Sequence, residues 1–183
     1  ESGSYVSAGN EAIKKLFEYS AVLLGKSSAG GNELDLSWCK YLLEQLLNQC
    51  YESEWYRKHG ACKSLQLIIQ TIDASDSWND MKHFIPLAQG LLYAVKDTSQ
   101  DILLQRNQVA IESFQLLVSC AVRIYRQNTV QHGNIFRRLV EILMNELSSS
   151  NKVARQLVKD SFASLVDADV EPNSTISSIM EAS

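Results

Sequence analysis

The sequence predicts an all-α protein built as a stack of helical hairpins, and three observations carry that prediction. Only two prolines and eight glycines punctuate 183 residues, whereas an all-β chain needs a turn signal roughly every 8–12 residues. Apolar residues recur at i, i+3, i+4 and i+7 in segment after segment, the spacing that lines one face of an α-helix. A pattern of residue sizes returns from Arg57 to Arg106 to Ala154, at intervals of 49 and 48 residues.

The first helix is expected over 10–24, with Ile13, Leu16 and Phe17 on one side. It stops at Gly25, before a Ser/Gly-rich loop over 26–32. A second spans about 35–51 and carries Leu36, Cys39, Leu42, Leu43, Leu46, Leu47 and Cys50. The third covers about 54–71, with Ala61, Leu65, Ile68 and Ile69, and a polar stretch over 73–77 follows it. The fourth is placed at about 79–95, where Pro86 must either start the regular helix or kink it. The fifth runs about 101–126 and the sixth about 130–147. Asn151 is positioned to cap the seventh, about 152–166, and Glu171-Pro172-Asn173 opens another. Links of about two residues join the second helix to the third and the sixth to the seventh. Connections that short force antiparallel neighbours.

The repeat is clearest in the second helix of each hairpin. Arg57 is followed at offsets 4, 8 and 11 by Ala61, Leu65 and Ile68; Arg106 by Ala110, Phe114 and Leu117; Ala154 by Val158, Phe162 and Leu165. A small or modest residue at the first offset lets two helices approach, and the large ones fill the space between hairpins. One hairpin cannot bury its own apolar faces, so it stacks on the next. A closed bundle would show similar spacings without a common period. The period, slightly above the roughly 40–47 residues of HEAT and armadillo units, points to a HEAT-type α-solenoid. The expected units are 35–77, 78–128 and 129–168, with 10–24 and 172–183 belonging to flanking units, as in a piece of a longer chain.

Composition narrows the function. The net charge is −4 and the pI about 5.4, so no global basic field attracts nucleic acid. No apolar run approaches the roughly 20 residues that span a bilayer, and no signal-peptide pattern opens the sequence. Cys39, Cys50, Cys62 and Cys120 lack C-x-x-C pairing and read as reduced, buried, small apolar residues. Neither a G-x-S-x-G elbow, a Gly-rich phosphate loop nor an H-E-x-x-H motif occurs, so catalysis, cofactors and small-molecule substrates are not expected. His59 and Cys62, with Cys50 nearby, lack the second ligand pair that structural zinc commonly uses and read as a packing cluster. His83 and His132 stand alone and are expected in surface or capping roles.

The stretch over 50–67, CYESEWYRKHGACKSLQL, is the most distinctive. It reads as a helix-to-helix corner. Cys50 and Tyr51 end one helix, Glu52 and Glu54 suit the positive N-terminus of the next, Trp55 and Tyr56 supply apolar surface, and Gly60-Ala61 offers a smooth packing patch. Through Cys50, Tyr51, Glu52, Trp55, Tyr56, Lys58, Gly60 and Leu65 it resembles the HEAT-repeat region of the TRRAP family, with Ala61 where that family usually has a second glycine. These are very large transcription-coactivator scaffolds, pseudokinases of the phosphatidylinositol 3-kinase-related group. The resemblance implies a nuclear, non-catalytic subunit of histone acetyltransferase complexes that holds other subunits and receives transcriptional activators, with no membrane and no direct nucleic-acid partner. A karyopherin-like module enclosing a cargo peptide is the alternative.

One further candidate comes from charge. Arg123, Arg126, Arg137 and Arg138 flank the junction of the fifth and sixth helices, forming a possible basic patch for an acidic protein partner. A solvated loop rim is the plainer reading of the same residues.

Overall fold

A computed structural model describes residues 9, 11–16, 37–75, 83–97, 104–127 and 129–167. Six helices follow in order: α1 (Ser37–Gln49), α2 (Trp55–Ser75), α3 (Phe84–Lys96), α4 (Leu104–Gln127), α5 (Thr129–Leu147) and α6 (Lys152–Asp167). Residues 11–16 are helical as well. The remainder of the first expected helix and the helix expected from Pro172 onward lie outside the described residues.

The helices pair as hairpins, α1 with α2, α3 with α4, and α5 with α6. The hairpins then stack in two layers. First helices touch first helices (α1 on α3, α3 on α5), and second helices touch second helices (α2 on α4, α4 on α6). This is the architecture of an all-α HEAT-type solenoid. The most extensive interface of all joins α2 to α4, two helices that are not consecutive. The spaced residues of the repeat explain it. Ala61, Leu65 and Ile68, Ala110, Phe114 and Leu117, and Val158, Phe162 and Leu165 are all buried. Removing a Leu- or Phe-sized side chain from water contributes about 1.5–3 kcal/mol, so the large members of each set drive the stacking.

Element ends differ from the sequence expectation in two places. Helix α2 continues through Asp73 to Ser75, beyond the polar boundary expected at 73; an established helix extends at little cost even through weak formers such as Asp and Ser. Helix α3 begins at Phe84, so Pro86 occupies its first turn, where a missing backbone N–H leaves no intrahelical bond unmade.

Antiparallel hairpins put all the intra-hairpin turns on one edge of the stack and the links between hairpins on the other. The turn edge is knitted by polar contacts reaching about one repeat along the chain. Lys96 Nζ lies 2.7 Å from Glu146 Oε1, and Asn151 Nδ2 donates to the Lys96 carbonyl at 3.1 Å. Asn151 also caps α6, its Oδ1 accepting from the Val153 and Ala154 amides at 2.9 and 3.0 Å. Deeper in the second layer, Gln66 Nε2 donates to Glu112 at 3.2 Å and Ser113 Oγ to the Cys62 carbonyl at 3.2 Å.

Candidate protein-interaction site

The corner between α1 and α2 is buried on one side and aromatic on the other. Cys50 and Cys62 lie in the core, and their thiols share a hydrogen bond. That contact, together with burial, holds the Cys62 pKa above that of an ordinary thiol. The tight approach lies on the facing helix, not where the sequence suggested. A Cβ on Gly90 of α3 would stand 3.2 Å from Leu47 Cδ2 and 3.6 Å from Cys50 Cβ, so α3 comes closest to α1 there. Of the pair Gly60-Ala61, only Ala61 is buried; a Cβ on Gly60 would meet open space. Tyr56, His59, Gly60 and Lys63 instead line a cavity of about 470 Å³ with Ile13 and Val109.

The outer side of the corner carries four half-exposed rings: Tyr51 (47%), Trp55 (50%), Tyr56 (57%) and Tyr93 from α3 (38%). Tyr51 and Tyr93 are 4.8 Å apart between ring centroids, and Trp55 meets Tyr56 edge-on at 6.3 Å. Lys58, although charged, is buried. Its ammonium pairs with Asp97 and lies 5.4 Å from the Tyr93 ring centroid, and burial draws its pKa below that of an ordinary lysine. Arg57 bridges Glu54 at 3.0 Å and Glu52 at 3.8 Å. The Lys58–Asp97–Tyr93 cluster was not anticipated; the sequence offers only a basic residue at the start of one helix and an acidic one at the end of another.

The second candidate surface is on the opposite edge, where α4 ends at Gln127 and α5 begins at Thr129. Arg126, Arg137 and Arg138 are exposed and Arg123 is half-buried, its Nη2 reaching Cys120 Sγ at 3.9 Å. Arg126, Arg137 and Arg138 form no ion pair with a described residue. Val130, Asn134, Arg137 and Arg138 share one outward face of α5 by helical spacing, and Val130 is 95% exposed. Beneath them Tyr125 stacks on Phe136 at 4.2 Å with the ring planes 5° apart. His132 corrects the surface or capping role expected of it: it is buried on α5 with Phe136, Leu139, Val140 and Leu143. The spacing of those residues places His132 on the apolar stripe, so that signal was present in the sequence.

Among the described residues, no group of three or more His, Cys, Asp or Glu side chains is placed to hold a metal ion. No helix among them is long and apolar enough to cross a membrane.

Stacked hairpins with exposed aromatic and basic surfaces, on a period of about one hairpin, define a HEAT-repeat scaffold segment. The chain matches the family model described as the Tra1 HEAT repeat ring region over residues 1–181, and it belongs to that family. It is 22% identical over 156 residues to the transformation/transcription domain-associated protein of Homo sapiens and, equally, to that of Danio rerio. These alignments cover 81% of this chain and 4% of each relative. No solved structure matches the chain.

Proposed function

We propose that this chain is a non-catalytic scaffold segment of a histone acetyltransferase coactivator assembly, acting in the nucleus to hold partner subunits and to receive transcriptional activators. Its partners are proteins; no small-molecule substrate, cofactor, nucleic acid or membrane enters the reading. The single observation that carries activator binding is the α4–α5 edge. There Arg126, Arg137 and Arg138, unmatched by described carboxylates, flank the exposed Val130 on a rigid helical base. Acidic segments with interspersed apolar residues are complementary to such a surface in both charge and apolar contact. Arg123 contributes from the preceding turn of α4. The aromatic corner at Cys50, Tyr51, Trp55, Tyr56, Gly60 and Ala61 fixes the first hairpin. The unit boundaries at 35–77, 78–128 and 129–168, with 10–24 and 172–183 assigned to flanking units, belong to the same proposal.

Affinity capture from nuclear extract with the purified chain tests it. Acetyltransferase-complex subunits and activators are expected, and the triple variant R126E/R137E/R138E is expected to lose the activators. Recovery of transport cargo and a small GTPase instead would overturn the scaffold reading.

A further inference from the structure

We infer that the α1–α2 corner is a second docking surface, for an extended segment of a partner protein that presents arginine side chains. The inference rests on the scaffold reading and names the chemistry of one of its partners. Four rings stand half-exposed at this corner, and isolated exposed aromatics of that size need no explanation but a cluster of them does. Next to Tyr51 and Trp55 in the chain stand Glu52 and Glu54, whose side chains are 42% and 43% exposed, although Glu54 Oε2 itself is shut off from solvent. Around the corner the described, solvent-reaching charges are Glu44, Glu52 and Glu54 against Arg57 and Lys63, which lines the Tyr56 cavity, leaving the surface weakly negative. Aromatic faces beside carboxylates are the complement of a guanidinium, which stacks on the ring and forks onto the carboxylate.

The corner already holds one cation in this manner and a second on carboxylates alone. Lys58 sits over Tyr93 against Asp97, and Arg57 occupies the Glu52 and Glu54 carboxylates. The two differ in accessibility. Lys58 is buried and fixed, whereas Arg57 is half-exposed, in the class of surface ion pairs that contribute little and exchange readily. Arg57 therefore marks the position that an incoming arginine takes, and competes with it. The opposite edge of the stack, with its exposed arginines, has the wrong sign for the same partner.

The test is direct binding of the purified chain to a fluorescein-labelled peptide of alternating arginine and serine, and to its lysine counterpart, by fluorescence anisotropy at near-physiological salt. The arginine peptide is expected to bind about tenfold more tightly than the lysine peptide. W55A/Y56A is expected to weaken it by about tenfold, W55F/Y56F to restore most of the loss, and E52Q/E54Q to weaken it. R57Q is expected to tighten it severalfold, a gain that a purely structural role for Arg57 does not produce. All these side chains are half-exposed, and unchanged circular dichroism of each variant checks that the fold survives. Equal affinity for the two peptides, no binding, or indifference to W55A/Y56A overturns the inference. If nuclear-extract capture succeeds while the arginine peptide fails, the corner proposal falls and the scaffold reading stands.

Discussion

At the edge where each hairpin turns, charged side chains bridge neighbouring hairpins: Lys58 to Asp97 and Lys96 to Glu146. Asn151 joins the cap of α6 to the end of α3, and the Arg155 guanidinium donates to the Ser149 carbonyl. At the opposite edge, between α4 and α5, the order comes from apolar packing of Tyr125 on Phe136, and Arg126, Arg137 and Arg138 are left to solvent. The contrast separates two uses of charge. The pairs on the first edge tie one hairpin to the next, while the exposed arginines on the second, with no ionic partner among the described residues, contribute almost nothing to folding and remain available to a partner.

Substitutions of graded severity can break this contrast. The largest effect is expected from Phe136→Ala, which empties a fully buried site beneath the arginine edge and costs about 3–5 kcal/mol; urea unfolding at constant m-value measures it. Next is Asp97→Ala. It strands the buried Lys58 ammonium at the turn edge and is expected to cost about 1–3 kcal/mol, with Lys58→Met/Asp97→Ala recovering much of the loss in a double-mutant cycle. Asn151→Ala removes the cap of α6 and its bond to Lys96, at about 1 kcal/mol, readable as faster amide exchange in the first turn of α6. The smallest effect belongs to R126E/R137E/R138E, within about 0.5 kcal/mol per site of the parent. A large thermal destabilisation by that triple variant would show that the arginines carry folding weight and would erase the distinction between the edges.

Gly90 sharpens the same comparison from within the first layer. Its missing Cβ lets α3 approach Leu47 and Cys50. Gly90→Val is expected to lower stability by about 1–3 kcal/mol through overpacking, whereas Gly90→Ala stays near neutral, because a flexible Leu47 methyl can yield and alanine favours the helix.

Much of the fold could be read from residue order because helical periodicity and a 48–49-residue recurrence are properties of the chain alone. The nine spaced residues of the second helices, and Asn151 as a cap, follow from such local rules. The limits of α2 and α3 did not. Asp73 and Ser75 read as a boundary by propensity, yet α2 runs through them. His132 was legible in principle, since its i+4 and i+7 partners are Phe136 and Leu139.

The sites divide in the same way. The sequence by itself determined that the corner is aromatic and that arginines gather near the α4–α5 junction, because each group is contiguous or nearly so in the chain. Only the tertiary structure decided that Tyr93 joins Tyr51, that Asp97 neutralises Lys58, that Gly90 rather than Gly60 sits at the close approach, and that Arg126, Arg137 and Arg138 meet no carboxylate among the described residues. Each of these joins residues roughly 40 positions apart or depends on what does not come near. Such pairings are fixed by how one hairpin settles on the next, and the helical period that marks a buried face carries no record of which partner fills it.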